Sequence, residues 1–132
     1  MSNNTRNPVI RREHTQPHLT VLQTHDRDDL EQIRPIGEID LCSAPVLRDA
    51  LADAERRQVK NVLVDLSDVQ FLALVGVHVL RDAGERSTAE HRRMVLVAPS
   101  HPVQRVLSLT NATADLEVYV TQAGALSALN RI

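Results

Sequence analysis

Two histidines, two aspartates, one cysteine and a glycine-centred turn are the places where this 132-residue chain could do chemistry. His14 and His18 are spaced like a pair that grips a metal ion from one helical face. Pro17 falls between them, and its ring is incompatible with that helix. Asp65 and Asp68 are the acids nearest the turn after an apolar run, where paired carboxylates could hold Mg²⁺. The acidic cluster that should accompany them after a first strand would be Asp26, Asp28 and Asp29, which read better as a turn. Cys42 is the sole cysteine, so it forms no intrachain disulfide and reads as a small half-buried side chain. There is no Gly-rich phosphate loop, nor a spacing that would join a nucleophile to a histidine base. No residue is assigned a catalytic role, and neither metal nor cofactor is expected. What remains is FLALVGVHVL, Phe71 to Leu80, the most apolar stretch of the chain. Gly76 interrupts it, at a cost of roughly 0.5–1 kcal/mol in a regular element.

The elements that must position this stretch follow from hydrophobic period. Leu19–Leu22 reads as a first strand and 25–29 as the turn after it. A second strand runs from about Leu30 to Ile39, with Pro35 demanding a bulge or an edge position. Ser43-Ala44-Pro45 is a helix start with Ser43 as hydroxyl cap, and Leu47, Ala50, Leu51 and Ala54 form one buried face. Residues 61–66 suit a parallel strand covered on both sides. Leu63 to Gly76 is then a strand-to-helix turn, with a helix from Gly76 to about Arg92. Met94–Ala98 is a buried strand, and Ser100 caps a helix carrying Val103, Val106 and Leu107. Leu116, Val118 and Val120 alternate as a half-buried strand, and Thr121 caps a last helix burying Leu126 and Leu129. The order ββαβαβαβα defines an α/β domain: a mostly parallel or mixed sheet of about five strands with about four helices. In such folds, sites form where strands end and helices begin. Gly76 lets the backbone turn tightly there, leaving free N–H groups that favour an anion.

Composition narrows the function. Fifteen basic residues balance seventeen acidic ones, and no basic face is implied, so nucleic acid is not an expected partner. No apolar run reaches a membrane span or a signal-peptide core, and the chain reads as cytosolic. Residues 1–17 are polar apart from a brief Val9-Ile10 pair and read as a mobile tail whose removal leaves the thermal midpoint nearly unchanged, with 18–132 as the folded domain.

Five pieces in order carry a family resemblance: GEID at 37–40, SAPVLRDAL at 43–51, VLVDLSDVQF at 62–71, Gly76, and SHPVQRVLSLT at 100–110. From about Leu19 to Leu129 the chain resembles a STAS domain, and more narrowly a bacterial anti-sigma factor antagonist. The family normally continues with [IL]-D-S-[ST]-G, whose serine is phosphorylated by an anti-sigma factor that is also a kinase. The matching residues here are Leu72, Ala73, Leu74, Val75 and Gly76. The acceptor position is Leu74, which offers no oxygen, and the preceding acid is Ala73. A phosphate adding about −1.5 to −2 charges cannot be placed on it.

The resemblance implies a partner surface drawn from Glu38, Asp40, Ser43, Leu72, Ala73, Leu74, Val75, Gly76 and His78. Glu38 and Asp40 are candidates for pairing with basic residues of the partner, or are ordinary strand-end acids. The aliphatic residues are either buried core or a hydrophobic docking patch. His78 reads as a partly buried packing residue, and Ser67, Ser87 and Thr88 do not match the acceptor position. The expected function is non-enzymatic: binding an anti-sigma factor of the ATPase-fold kinase type, releasing a sigma factor without phosphorylation. A self-assembling scaffold and a small-ligand or Mg²⁺-dependent phosphoacceptor module are the alternatives.

Overall fold

A computed structural model describes residues 9–27 and 29–130. Seven strands and four helices occur in the order β1 (Val9–Gln16), β2 (Leu19–Arg27), β3 (Leu30–Ile39), α1 (Ala44–Arg56), β4 (Asn61–Asp65), β5 (Asp68–Leu72), α2 (Leu74–Ala89), β6 (Arg93–Val97), α3 (His101–Leu109), β7 (Glu117–Tyr119) and α4 (Gln122–Leu129). The α/β class expected from the sequence holds, with two strands more than the pattern displayed. The sheet order is β1-β2-β3-β4-β6-β7, with β5 also pairing β3. The β1–β2 and β2–β3 pairs are antiparallel, and every later pair is parallel.

The first extra strand corrects the tail expectation. Val9–Gln16 lies antiparallel on β2, from Val9 opposite His25 to Gln16 opposite Leu19. Its polar composition hid it, because the side chains of Arg12 and His14 engage polar groups rather than aliphatic core. Arg12 donates to Asp53 at 3.0 Å, and His14 meets the Gln23 amide oxygen at 2.5 Å. Gln23 and Glu31 are fully buried between these strands and α1. Gln23 donates to Glu31 at 2.7 Å and to Asp53 at 3.1 Å. Arg57 reaches both carboxylates, at 2.5 Å and 2.9 Å. Buried charges persist only when paired and hydrogen-bonded in this manner. Residues 1–8 of the expected tail lie outside the described residues.

The second extra strand corrects the long-turn expectation for Leu63–Gly76. After β4 the chain kinks where Asp65 accepts from the Ser67 N–H at 2.9 Å and the Ser67 hydroxyl at 2.5 Å. It then resumes as β5 alongside the second half of β3. β4 occupies β3 as far as Ile33, and β5 begins opposite Ile36. Pro35 therefore sits within an interior strand, opposite the gap, where it breaks no rung with β4 or β5.

One face of the sheet holds the main core. Val21, Ile33, Ile39, Val64 and Leu96 pack there against Leu47, Ala50 and Ala54 of α1 and Val77, Leu80 and Ala83 of α2. On the other face Leu30, Leu63, Val95 and Val97 meet Ala125 and Leu129 of α4. Thr121 caps α4 as expected, its hydroxyl accepting from the Gly124 N–H at 3.0 Å. Ser100 does not cap α3 through its side chain, which is buried without a hydrogen-bond partner.

Candidate functional site

β3 and β5 run in parallel and end together, with Ile39 opposite Leu72. Each strand then turns a corner into a helix, β3 into α1 and β5 into α2. The Ala73 N–H donates to the Ile39 carbonyl at 2.8 Å, closing the two corners against each other. Ala73 precedes α2 in an extended conformation, Leu74 is its first helical residue, and Gly76 lies in its first turn.

Gly76 answers to packing, not to an unusual backbone angle. A β-carbon there would meet Ile39 Cγ2 at 2.6 Å and Leu72 Cδ1 at 2.7 Å. The absent side chain lets α2 start directly on the ends of β3 and β5. Gly76 and Leu72 are buried, so they set the position of the corner and do not form its surface. Leu74 is 55% exposed, Ala73 and Val75 are half-buried. Of the two readings of the aliphatic run, Leu72 follows the core one and Leu74 the surface one. His78, one turn further along α2, is exposed, which corrects its expected packing role.

The β3–α1 corner is held by a carboxylate clasp. Asp40 Oδ1 accepts from the Cys42 and Ser43 N–H groups, both at 2.9 Å. The Asp40 N–H donates to the Ser43 hydroxyl at 2.9 Å, and that hydroxyl donates to the Glu38 carbonyl at 2.7 Å. The N–H groups that reach its Oδ1, that of Ser43 foremost, hold the Asp40 carboxyl below its usual range. Ser43 is therefore no hydroxyl cap of α1; it is buried and ties the strand end to the turn. Cys42 is exposed rather than half-buried. Leu41 protrudes from the clasp at 77% exposure.

A bulge adds one more apolar group. Between the pairs Gly37–Val69 and Glu38–Phe71, β5 contains an additional residue, Gln70. The slip turns Phe71 outward beside exposed Glu38, where strict alternation from buried Val69 would have buried it. Sequence reasoning missed Leu41 and Phe71 as surface groups. The only signal for Leu41 was a leucine inside a turn, off the period of either neighbouring element.

The ends of β3 and β5 and the start of α2 thus carry the exposed apolar residues Leu41, Phe71 and Leu74, together with Glu38 and Asp40. This arrangement carries no nucleophile–base pair; what it offers is apolar area and negative charge. Asp65 is engaged by Ser67, and Asp68 forms an ion pair with Arg34. Among the described residues, no three or more His, Cys, Asp or Glu side chains are grouped to hold a metal. Among them, no helix is long and apolar enough to cross a membrane.

The fold is an α/β sheet domain whose strand ends carry an exposed apolar corner. The family model for the STAS domain matches residues 21–125, and the chain belongs to that family. An anti-sigma factor antagonist from Mycobacterium paratuberculosis has a similar structure, with a TM-score of 0.81 at 28% identity, covering 89% of this chain and 99% of its own. The antagonist SpoIIAA in its unphosphorylated form shares the fold, with a TM-score of 0.71 at 18% identity over 85% of this chain and 97% of its own. SpoIIAA of Bacillus in its phosphorylated form gives 0.64 at 17% identity, over 83% and 99%. No curated protein matches by sequence.

Proposed function

We propose that this chain is a cytoplasmic, non-enzymatic antagonist that binds an anti-sigma factor of the ATPase-fold kinase type, frees a sigma factor, and needs no dephosphorylation to do so. The carrying observation is Leu74, an exposed aliphatic side chain at the corner where the family places its phosphoacceptor serine. A leucine has no oxygen to accept a phosphoryl group, and it has no charge to repel a partner. Leu41 and Phe71 are further exposed apolar side chains near the same strand ends, which supports a docking patch. The proposed partner surface also takes in Glu38, Asp40, Ala73, Val75 and His78, with buried Ser43, Leu72 and Gly76 as its support. The likeness to the mycobacterial antagonist supports the partner class.

The test is titration calorimetry against each purified kinase-type anti-sigma factor of the host, with and without ATP. The expected result is micromolar or tighter binding to at least one, unchanged by ATP in the sense that no phosphate appears on the chain. Absence of binding to all of them overturns the reading. A Leu74→Ser variant that gains phosphate from the same partner would show that the recognition surface persists around a lost acceptor. Self-assembly of the free chain in light scattering, without partner binding, would favour a scaffold role instead.

A further inference from the structure

We propose that Leu41 and Leu74 form one two-pronged apolar anchor, and that the partner receives both in a hydrophobic cleft bordered by cationic side chains. The inference rests on the proposed antagonist function and specifies how the partner is gripped.

The two leucines belong to different elements but share one origin. Each lies two residues beyond the paired residues Ile39 and Leu72, on adjoining parallel strands. The Ala73–Ile39 hydrogen bond fixes the two strand ends together. Both prongs therefore leave the same end of the sheet, and both are mostly solvent-exposed in the free chain.

The backbone on both sides of Leu41 is held by hydrogen bonds. The Asp40 carboxylate takes the N–H groups of Cys42 and Ser43, and the Ser43 hydroxyl ties Asp40 to Glu38. The Ala44 N–H closes the turn on the Asp40 carbonyl at 2.8 Å. Leu74 is likewise set by the first turn of α2, seated on Ile39 and Leu72 through Gly76. Side chains presented from rigid backbone lose little freedom on binding, which suits them to dominate an interface.

The charges decide what the cleft must look like. Glu38 is exposed three residues before Leu41, and the clasp favours the charged form of the Asp40 carboxyl. A partner whose rim carries lysine or arginine gains complementarity with both. A second copy of this chain, docked through the same face about a two-fold axis, would set these acids against each other. The occupant is therefore a different protein with a basic rim.

The experiment compares Leu41→Ala, Leu74→Ala, their combination and Leu109→Ala in calorimetric titration against the anti-sigma factor that binds the wild-type chain. Leu109 is as exposed as the anchor but lies at the far end of α3. Each anchor variant is expected to weaken binding about tenfold or more, with the thermal midpoint unchanged because both side chains are exposed. The double variant should lose less than the product of the two single losses, as residues sharing one cleft are coupled. Leu109→Ala should bind like wild type, and Glu38→Gln should flatten the salt dependence of the affinity. Loss at Leu74 with Leu41→Ala within about twofold of wild type would overturn the two-pronged anchor while leaving the antagonist function intact. Concentration-dependent self-association abolished by Leu41→Ala would overturn the choice of occupant. Failure of the wild-type chain to bind any anti-sigma factor would overturn both this proposal and the function beneath it.

Discussion

Gly76 sits so close to Ile39 that no methyl group fits between them: a β-carbon at position 76 would lie 2.6 Å from Ile39 Cγ2. The Ile39 methyl is attached directly to its β-carbon and cannot swing away as a long side chain would. Gly76→Ala should therefore destabilise the fold by about 1–3 kcal/mol, as overpacking does, despite the better helix propensity of alanine. Urea denaturation measures it, and a variant as stable as wild type would show that α2 can lift without cost.

Leu74→Asp places a negative charge at the acceptor position without adding bulk to the core. Because Leu74 is exposed, stability should change by less than about 0.5 kcal/mol. Binding to the anti-sigma factor should fall below detection in calorimetry. Undiminished binding of a folded variant would remove Leu74 from the interface.

Removal of residues 1–16 deletes β1 together with the Arg12–Asp53 and His14–Gln23 contacts. The exposed flank of β2 and the less compensated carboxylate of Asp53 should lower the thermal midpoint by at least about 5 °C. The sequence alone led to the opposite expectation. An unchanged midpoint would return this segment to the status of a tail.

Arg57 is the cation shared by buried Glu31 and Asp53, and burial opposes its charge while both carboxylates favour it, the net effect being a raised pKa. Arg57→Ala should cost about 3 kcal/mol, the lower end of the range for a broken buried pair, since Arg12 and Arg56 still reach Asp53. Chemical denaturation of the variant checks this value. The double variant Arg57→Met with Glu31→Leu should recover part of the loss, because it removes the stranded charge as well.

Arg93, Glu117 and Tyr119 form a pH-sensitive clip between β6 and β7. Arg93 hydrogen bonds lower the Glu117 pKa below its ordinary 4.5. That contribution is present above pH 4.5 and disappears as pH falls through the lowered folded value. The hydrogen bond from Tyr119 to Glu117 raises the tyrosine pKa above 10.0, so its share is present below pH 10 and lost above it. The stability gap between wild type and Glu117→Gln, from melts at several pH values, should be widest near neutrality and narrow toward both extremes. A gap that is constant with pH would exclude the clip.

The parts of the fold built on aliphatic period were legible in the sequence. Leu47, Ala50, Leu51 and Ala54 revealed α1, and residues 61–66 revealed a strand covered on both faces. Two strands were not, for separate reasons. β1 joins the domain through Arg12 and His14, which reach polar partners, Asp53 and Gln23, so no apolar pattern marks it. β5 is five residues long and carries a bulge at Gln70, which destroys the alternation that would identify it. The acceptor corner was locatable through Gly76 and the residues before it. Leu41 was not, because its prominence depends on the fold bringing the ends of β3 and β5 together.

The clasp at Asp40 also has a bearing on kinetics. A recognition element that is already shaped in the free chain imposes no waiting time for rearrangement on encounter. Capture should then be governed by diffusion and by attraction to the carboxylates, within the ordinary range of about 10⁵–10⁷ M⁻¹s⁻¹ or faster at low salt. Differences among competing partners would appear chiefly in how long each complex persists, a property suited to a protein that carries a leucine where its family carries a phosphorylatable serine.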